Sequence, residues 1–127
     1  MASAKIVNVG LAGYAGLIIN SGQAVFKYGQ IGTGVTAVSA TDTTLGTPTA
    51  DARVSGTQSR VTTSVTNDTV QNVYTITSGA GGAITECGDF DALTSGSMSD
   101  RAVFAVVTLS AGDSIQITGK TQLTSAT

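Results

Sequence analysis

The sequence predicts an all-β fold: a single antiparallel β-sandwich or barrel with an extended N-terminal arm. Three observations carry this. Thr, Ser and Gly are abundant, while Pro occurs once and the helix formers Glu, Lys, Leu and Met are scarce; Thr and Val suit pleated surfaces, and Gly and Ser suit turns. Hydrophobic residues make up 41% of the 127-residue chain and charged residues 11%, a balance opposite to that of disordered chains. Several short segments alternate with a period of two between turn signals, the signature of a sandwich or barrel. This length fits one domain and allows a core without staples. We divide the chain into an arm, residues 1–22, and a β domain, residues 23–127.

The arm contains the most apolar run, IVNVGLAGYAGLII at residues 6–19. It is shorter than a membrane span and is interrupted by Asn8 and three glycines. A secretory leader, with Lys5 as its basic end and cleavage near Ser21–Ala24, meets only half of its criteria. An extension fits better. Gly10, Gly13 and Gly16 free the backbone to follow another subunit, and Ile6, Val7, Val9, Leu11, Tyr14, Leu17 and Ile18 supply apolar anchors. These seven are the predicted contacts with a neighbouring subunit.

The segment at residues 23–31 is β-type, with Val25, Phe26, Tyr28 and Ile31. The next twenty residues, rich in Gly and Thr, read as a long loop with a short helical turn near residues 43–45; such loops are usually functional or flexible. In residues 53–66, Val61, Thr63 and Val65 share one face. Asn67-Asp68 then predicts a two-residue hairpin turn, because both residues tolerate left-handed backbone. A return strand covers residues 70–77 and ends at a glycine-rich turn. Residues 83–90 form a strand with a kink at Gly88, and residues 93–100 a turn. RAVFAVVTLS at residues 101–110 reads as a strand buried on both faces. After Ala111-Gly112-Asp113, residues 114–120 alternate, with Ile115 and Ile117 inward. No repeat of 20–50 residues is present.

Catalytic candidates are few. Histidine is absent, which removes the commonest general base and metal ligand. IGTG at residues 31–34 completes neither nucleotide fingerprint, and Asn67-Asp68-Thr69 matches a glycosylation sequon that the turn explains as well. ITECGDFDA, residues 84–92, gathers Glu86, Asp89, Asp91 and the single cysteine, Cys87. Its spacing matches no calcium loop, and an acid/base pair needs a cleft with supporting groups. The favoured expectation is structural: Cys87 as a small core hydrophobe, with the carboxylates towards solvent or a loop. We therefore expect no catalytic residue, metal or cofactor. Six basic residues are dispersed, against a phosphate-tracking surface, so neither nucleic acid nor membrane is an expected partner. So little charge lets a surface be buried against a neighbour at small desolvation cost, as in an assembly component.

Five elements occur in order: YGQIGTG (28–34), TDTTLGT (41–47), RVSGTQSRVTTSVTNDT (53–69), ITECGDFDA (84–92) and RAVFAVVTLSAGDSIQIT (101–118). This order resembles a family of small virion proteins of tailed double-stranded DNA bacteriophages, over residues 26–120. The departures are Cys87 and Asp89, where family members tend to be aliphatic. The resemblance implies a head decoration, or cement, protein on the capsid exterior. It further implies a homotrimer bound to the major capsid protein, stabilising the head against internal DNA pressure. A tail-fibre or baseplate module binding a host receptor is the alternative. A hydrolase using Glu86 and Asp91 is a third.

Overall fold

The computed structural model describes residues 4–125. Eight strands and one helix follow in the order β1 (Ala4–Ile6), α1 (Asn8–Ile18), β2 (Tyr28–Gly32), β3 (Val54–Ser55), β4 (Thr57–Val61), β5 (Thr69–Thr77), β6 (Gly82–Phe90), β7 (Met98–Leu109) and β8 (Ser114–Gln122). They form two antiparallel sheets: a wide one ordered β1-β7-β6-β2-β3 and a narrow one ordered β4-β5-β8. Both sheets keep free edges among the described residues. The molecule is therefore an open sandwich, and the barrel alternative falls.

Two cores lie on opposite faces of the wide sheet. Between the sheets, Ile31, Ile84 and Leu109 meet Tyr74, Ile76 and Ile115, with Cys87 and Phe104 packed beside them. On the outer face, Val7, Leu45, Phe90 and Met98 form a second cluster with Tyr28 against it. Burying one such side chain contributes roughly 1.5–3 kcal/mol. The outer cluster is roofed by α1 and the loop between β2 and β3. That loop holds one isolated bridge, Gly32 to Pro48, and no helical turn forms at residues 43–45.

The N-terminal segment is not an extended arm. Its first three residues lie outside the described ones. β1 pairs with β7, Ala4 to Ala102 through Ile6 to Asp100, and α1 packs on the same strand. Ala12, Ala15, Leu11 and Leu17 favour a helix. The helix closes where Asn20 takes a left-handed φ of 53°, with its N–H donating to the Leu17 carbonyl, a common helix ending. The glycines read as joints are the packing face. A Cβ on Gly10 would lie 2.2 Å from the Ser99 carbonyl oxygen, and one on Gly13 2.3 Å from the Phe26 ring. Small side chains bring the helix against the sheet backbone, and that packing offsets their poor helix propensity.

Other elements differ from the sequence reading in length and register. β4 and β5 pair as the predicted hairpin, but a seven-residue loop, residues 62–68, replaces the two-residue turn. Asn67 does adopt a left-handed φ of 60°. Asp68 organises the loop by accepting from the backbone N–H groups of Thr63, Ser64 and Val65. These bonds hold its pKa below the ordinary carboxylate range. Val65 is consequently exposed in the loop, out of line with Val61. Gly88 is not a kink: it pairs with Gln30 and Arg101, and the irregularities in β6 flank it. At the first, Thr85 alone opposes Phe104, Ala105 and Val106, a bulge that turns β7. β7 is not buried on both faces, because its residues 105–108 are exposed. β1 covers only residues 100–102 of its outer edge.

Candidate functional site

The stretch ITECGDFDA divides between the two faces of the wide sheet, because successive side chains on a strand point oppositely. Glu86 faces outward and is fully buried, against the loop rather than in solvent, of the two positions expected. Its Oε1 accepts from the N–H groups of Gly34 (3.1 Å) and Thr47 (2.7 Å). Its Oε2 accepts from Gly46 N–H and from Arg101 Nε, both at 2.9 Å. Arg101 also bonds Asp42 Oδ2 at 3.1 Å and the Thr36 carbonyl at 3.0 Å. Burial opposes the charge on Glu86, but the Thr47, Gly46 and Arg101 donors outweigh it and lower its pKa.

This network explains the glycines of IGTG and the LGT of the long loop. A Cβ on Gly32 or Gly34 would lie 2.4 or 2.6 Å from Glu86 Oε1. The loop is a strap wound around one carboxylate, and four of the five sequence elements meet here or beside it. The remaining contact falls to Arg53, whose guanidinium stacks 3.5 Å above the Phe90 ring. It also donates to the carbonyls of Ala92 and Ser95. Every Glu86 oxygen is occupied, so the geometry anchors the strap and leaves no lone pair free for substrate. Asp91 is separately engaged by Gln23 Nε2 and Ser97 N–H. The structure does not bring Glu86 and Asp91 into a shared cleft.

Cys87 and Asp89 face the opposite way, which for Asp89 is a correction to the expected position towards solvent or a loop, because period two puts it in phase with Cys87. Cys87 packs against the inter-sheet core, as expected of a small hydrophobe, although Phe90 lies in the outer cluster. Burial, then the Asp89 charge, pushes its thiol up to about 12, so it is a thiol at neutral pH. Asp89 stands opposite Asp100 on β7. The Asp89 N–H donates to Asp100 Oδ1 at 3.2 Å and Asn72 Nδ2 to Asp89 Oδ1 at 2.9 Å. Burial raises both carboxyl pKa values, and the Asp89 charge adds to the rise at Asp100. Neither forms an ion pair among the described residues. Asn72 Oδ1 and the Tyr74 hydroxyl, both buried, have no partner there.

Cys87, Asp89 and Asp100 line a groove of about 510 Å³ between the sheets, with Ala102, Phe104, Val107 and residues 115–120 of β8. Sequence reasoning missed Asp100 and the groove. The clue was the polar Asp100 at a position where period two places it in phase with the inward Ala102 and Phe104.

The seven predicted contact residues separate similarly. Val7 is buried, and Ile6, Tyr14 and Leu17 are half-buried; Tyr14 stacks against Phe26 with ring centroids 5.3 Å apart. Val9, Leu11 and Ile18 are exposed. Leu11 is 56%, Ile18 84% and the neighbouring Ile19 76% exposed. Val9, Leu11 and Ile18 on α1, and Ile19 just after it, are exposed apolar side chains on a helix that packs on β7. No helix among the described residues is long and apolar enough to cross a membrane. No protein-family model, curated protein or solved structure matches the chain.

Proposed function

We propose that this chain is a capsid decoration subunit that binds the outer surface of a bacteriophage head. Its contact surface is the exposed side of α1. The observation that carries the reading is that apolar surface: Val9, Leu11, Ile18 and Ile19 point away from the chain's own cores. Large side chains held in water on a rigid helix mark a docking surface. The order of the five sequence elements supports a virion setting, and four of them converge on one buried network that fixes the strap and the wall beneath α1. Binding does not need a reaching arm. A helix preset on β7 loses little conformational entropy on docking, and repetition over a shell multiplies a modest gain per site.

The test mixes purified protein with undecorated heads and with isolated tails, then measures occupancy by sedimentation. Heads should bind wild type. The double substitution Leu11→Ser, Ile18→Ser should lower occupancy at least tenfold, equivalent to about 1.4 kcal/mol, with an unchanged thermal melt. Wild-type binding confined to tails would replace the head assignment with the tail-module alternative. Undiminished occupancy by the double variant would remove α1 as the contact.

A further inference from the structure

The wide sheet has five strands and the narrow sheet three, so the narrow one cannot cover its neighbour's inner face. The overhang lies beyond β8, under β7 and β1. It is the groove described above, lined by Ala4, Ala102, Phe104 and Val107 from the wide sheet and by six consecutive β8 residues, Ile115–Lys120. Neighbours in a strand alternate between faces, so six in a row can border one groove only along the strand's edge. Among the described residues that edge is free, because β8 pairs there with β5 alone. The space therefore has the form of a missing strand: an open backbone edge on one side and an apolar roof above.

We infer that copies of this chain join head to tail, with β4 of one copy adding to β8 of the next and closing its groove. β4 is the other free edge of the narrow sheet. Its sequence, TQSRV, carries one charge, Arg60. Period two puts Arg60 on the same face as Gln58, which pairs with the inward Asn72. Arg60 is exposed and forms no ion pair among the described residues. The groove supplies the complement, since Asp89 and Asp100 line it and form no ion pair among the described residues.

The register matches the two. Gln58, Asn72 and Gly119 lie at one height across the narrow sheet, and Arg60, Val70 and Thr121 at another. A rotation about an axis parallel to the strands preserves these heights and sets the incoming β4 parallel to β8. A Cβ on Gly119 would lie 3.4 Å from Asp89 Oδ2, so the carboxyl pair sits at the first height. The incoming Arg60 arrives two residues further along, roughly 7 Å, about the reach of an extended arginine side chain. Lys120, the only charge on β8, borders the groove but is out of phase with Gly119 and pairs with neither carboxylate. A head-to-tail contact of this kind closes into a ring. It does not depend on the virion reading, because it forms in solution without heads.

Native mass spectrometry of the full chain tests this. Wild type should give a closed oligomer, and Arg60→Glu should be monomeric. Ala102→Lys should also be monomeric, because it places a cation into the groove in cis. Mixing the two should restore a 1:1 heterodimer, since each keeps the half the other lacks. Arg60→Lys should retain assembly. Should Ala102→Lys fail to fold by circular dichroism, Asp100→Asn takes its place, folded but unassembled. A wild type that stays monomeric at every concentration overturns the inference. So does an Arg60→Glu protein that assembles like wild type, which would indicate pairing of two β8 edges, or failure of the mixture to form heterodimers.

Discussion

Glu86 and Asp89 lie three residues apart on β6, yet their surroundings are opposite. The Glu86 carboxylate faces outward under the strap, with Arg101 and three backbone N–H donors on its two oxygens. The Asp89 carboxylate faces inward onto a second carboxylate, at the border of an open groove. One face of the sheet is finished within a single chain, and the other is left incomplete. Burial alone is therefore a poor guide to what a carboxylate does. A fully satisfied charge fastens the fold, whereas a carboxyl pair with no ion-pair partner among the described residues does not.

The largest effect should come from breaking the finished face. Glu86→Ala strands the Arg101 guanidinium in a dry site and frees the strap. Losing one member of a buried pair typically costs about 3–5 kcal/mol. Urea denaturation should show a loss of that size, and a loss below about 1 kcal/mol would mean the strap holds without its anchor.

Next comes the lid over the same face. Gly10→Val drives side-chain atoms into the Ser99 carbonyl, and overpacking of this kind costs about 1–3 kcal/mol. Amide exchange in β1 and α1 should accelerate while β5 and β8 stay protected. Uniform acceleration throughout the chain would show that the lid and the sandwich unfold together.

The smallest effect belongs to the open face and has the opposite sign. Asp100→Asn removes a half-buried carboxyl that forms no ion pair among the described residues. At neutral pH the isolated subunit should gain about 1 kcal/mol, the lower end for replacing such a charge. The pH dependence separates the two faces. The Asp100 pKa is raised well above 3.8. Its stabilising contribution is present below 3.8 and is lost as pH rises through the folded value. The Glu86 pKa is lowered from 4.5. Its contribution is present above 4.5 and is lost as pH falls through the folded value. Acidified from neutral, wild type should first gain stability and then lose it. Asp100→Asn should blunt the gain, and Glu86→Ala should blunt the loss.

Much of the strand framework was legible in the sequence. The alternation in residues 114–120 gave β8, and Asn67 gave the left-handed position of the hairpin loop. The helix was misread because its apolar residues surround the axis rather than forming a stripe, so periodicity was silent. The run's length and the Asn20-Ser21-Gly22 ending were the available helix signals. The glycines of α1 are ambiguous locally: the same residues serve a pliable arm or a close-packed face. The loop length before Asp68 was missed because the Asp68 side chain's bonds to the backbone of Thr63, Ser64 and Val65 set it, not the dipeptide.

The sequence by itself determined the class of fold, the alternating strands and the scarcity of charge, since each follows from residue propensities acting over a few neighbours. Only the tertiary structure decided which carboxylate received an arginine and which received another carboxylate. It also decided that the glycine-rich leader lies down as a helix, and that five strands overhang three. Those outcomes depend on which strands become neighbours and how far each sheet extends, and pairing across such distances along the chain leaves no local signal.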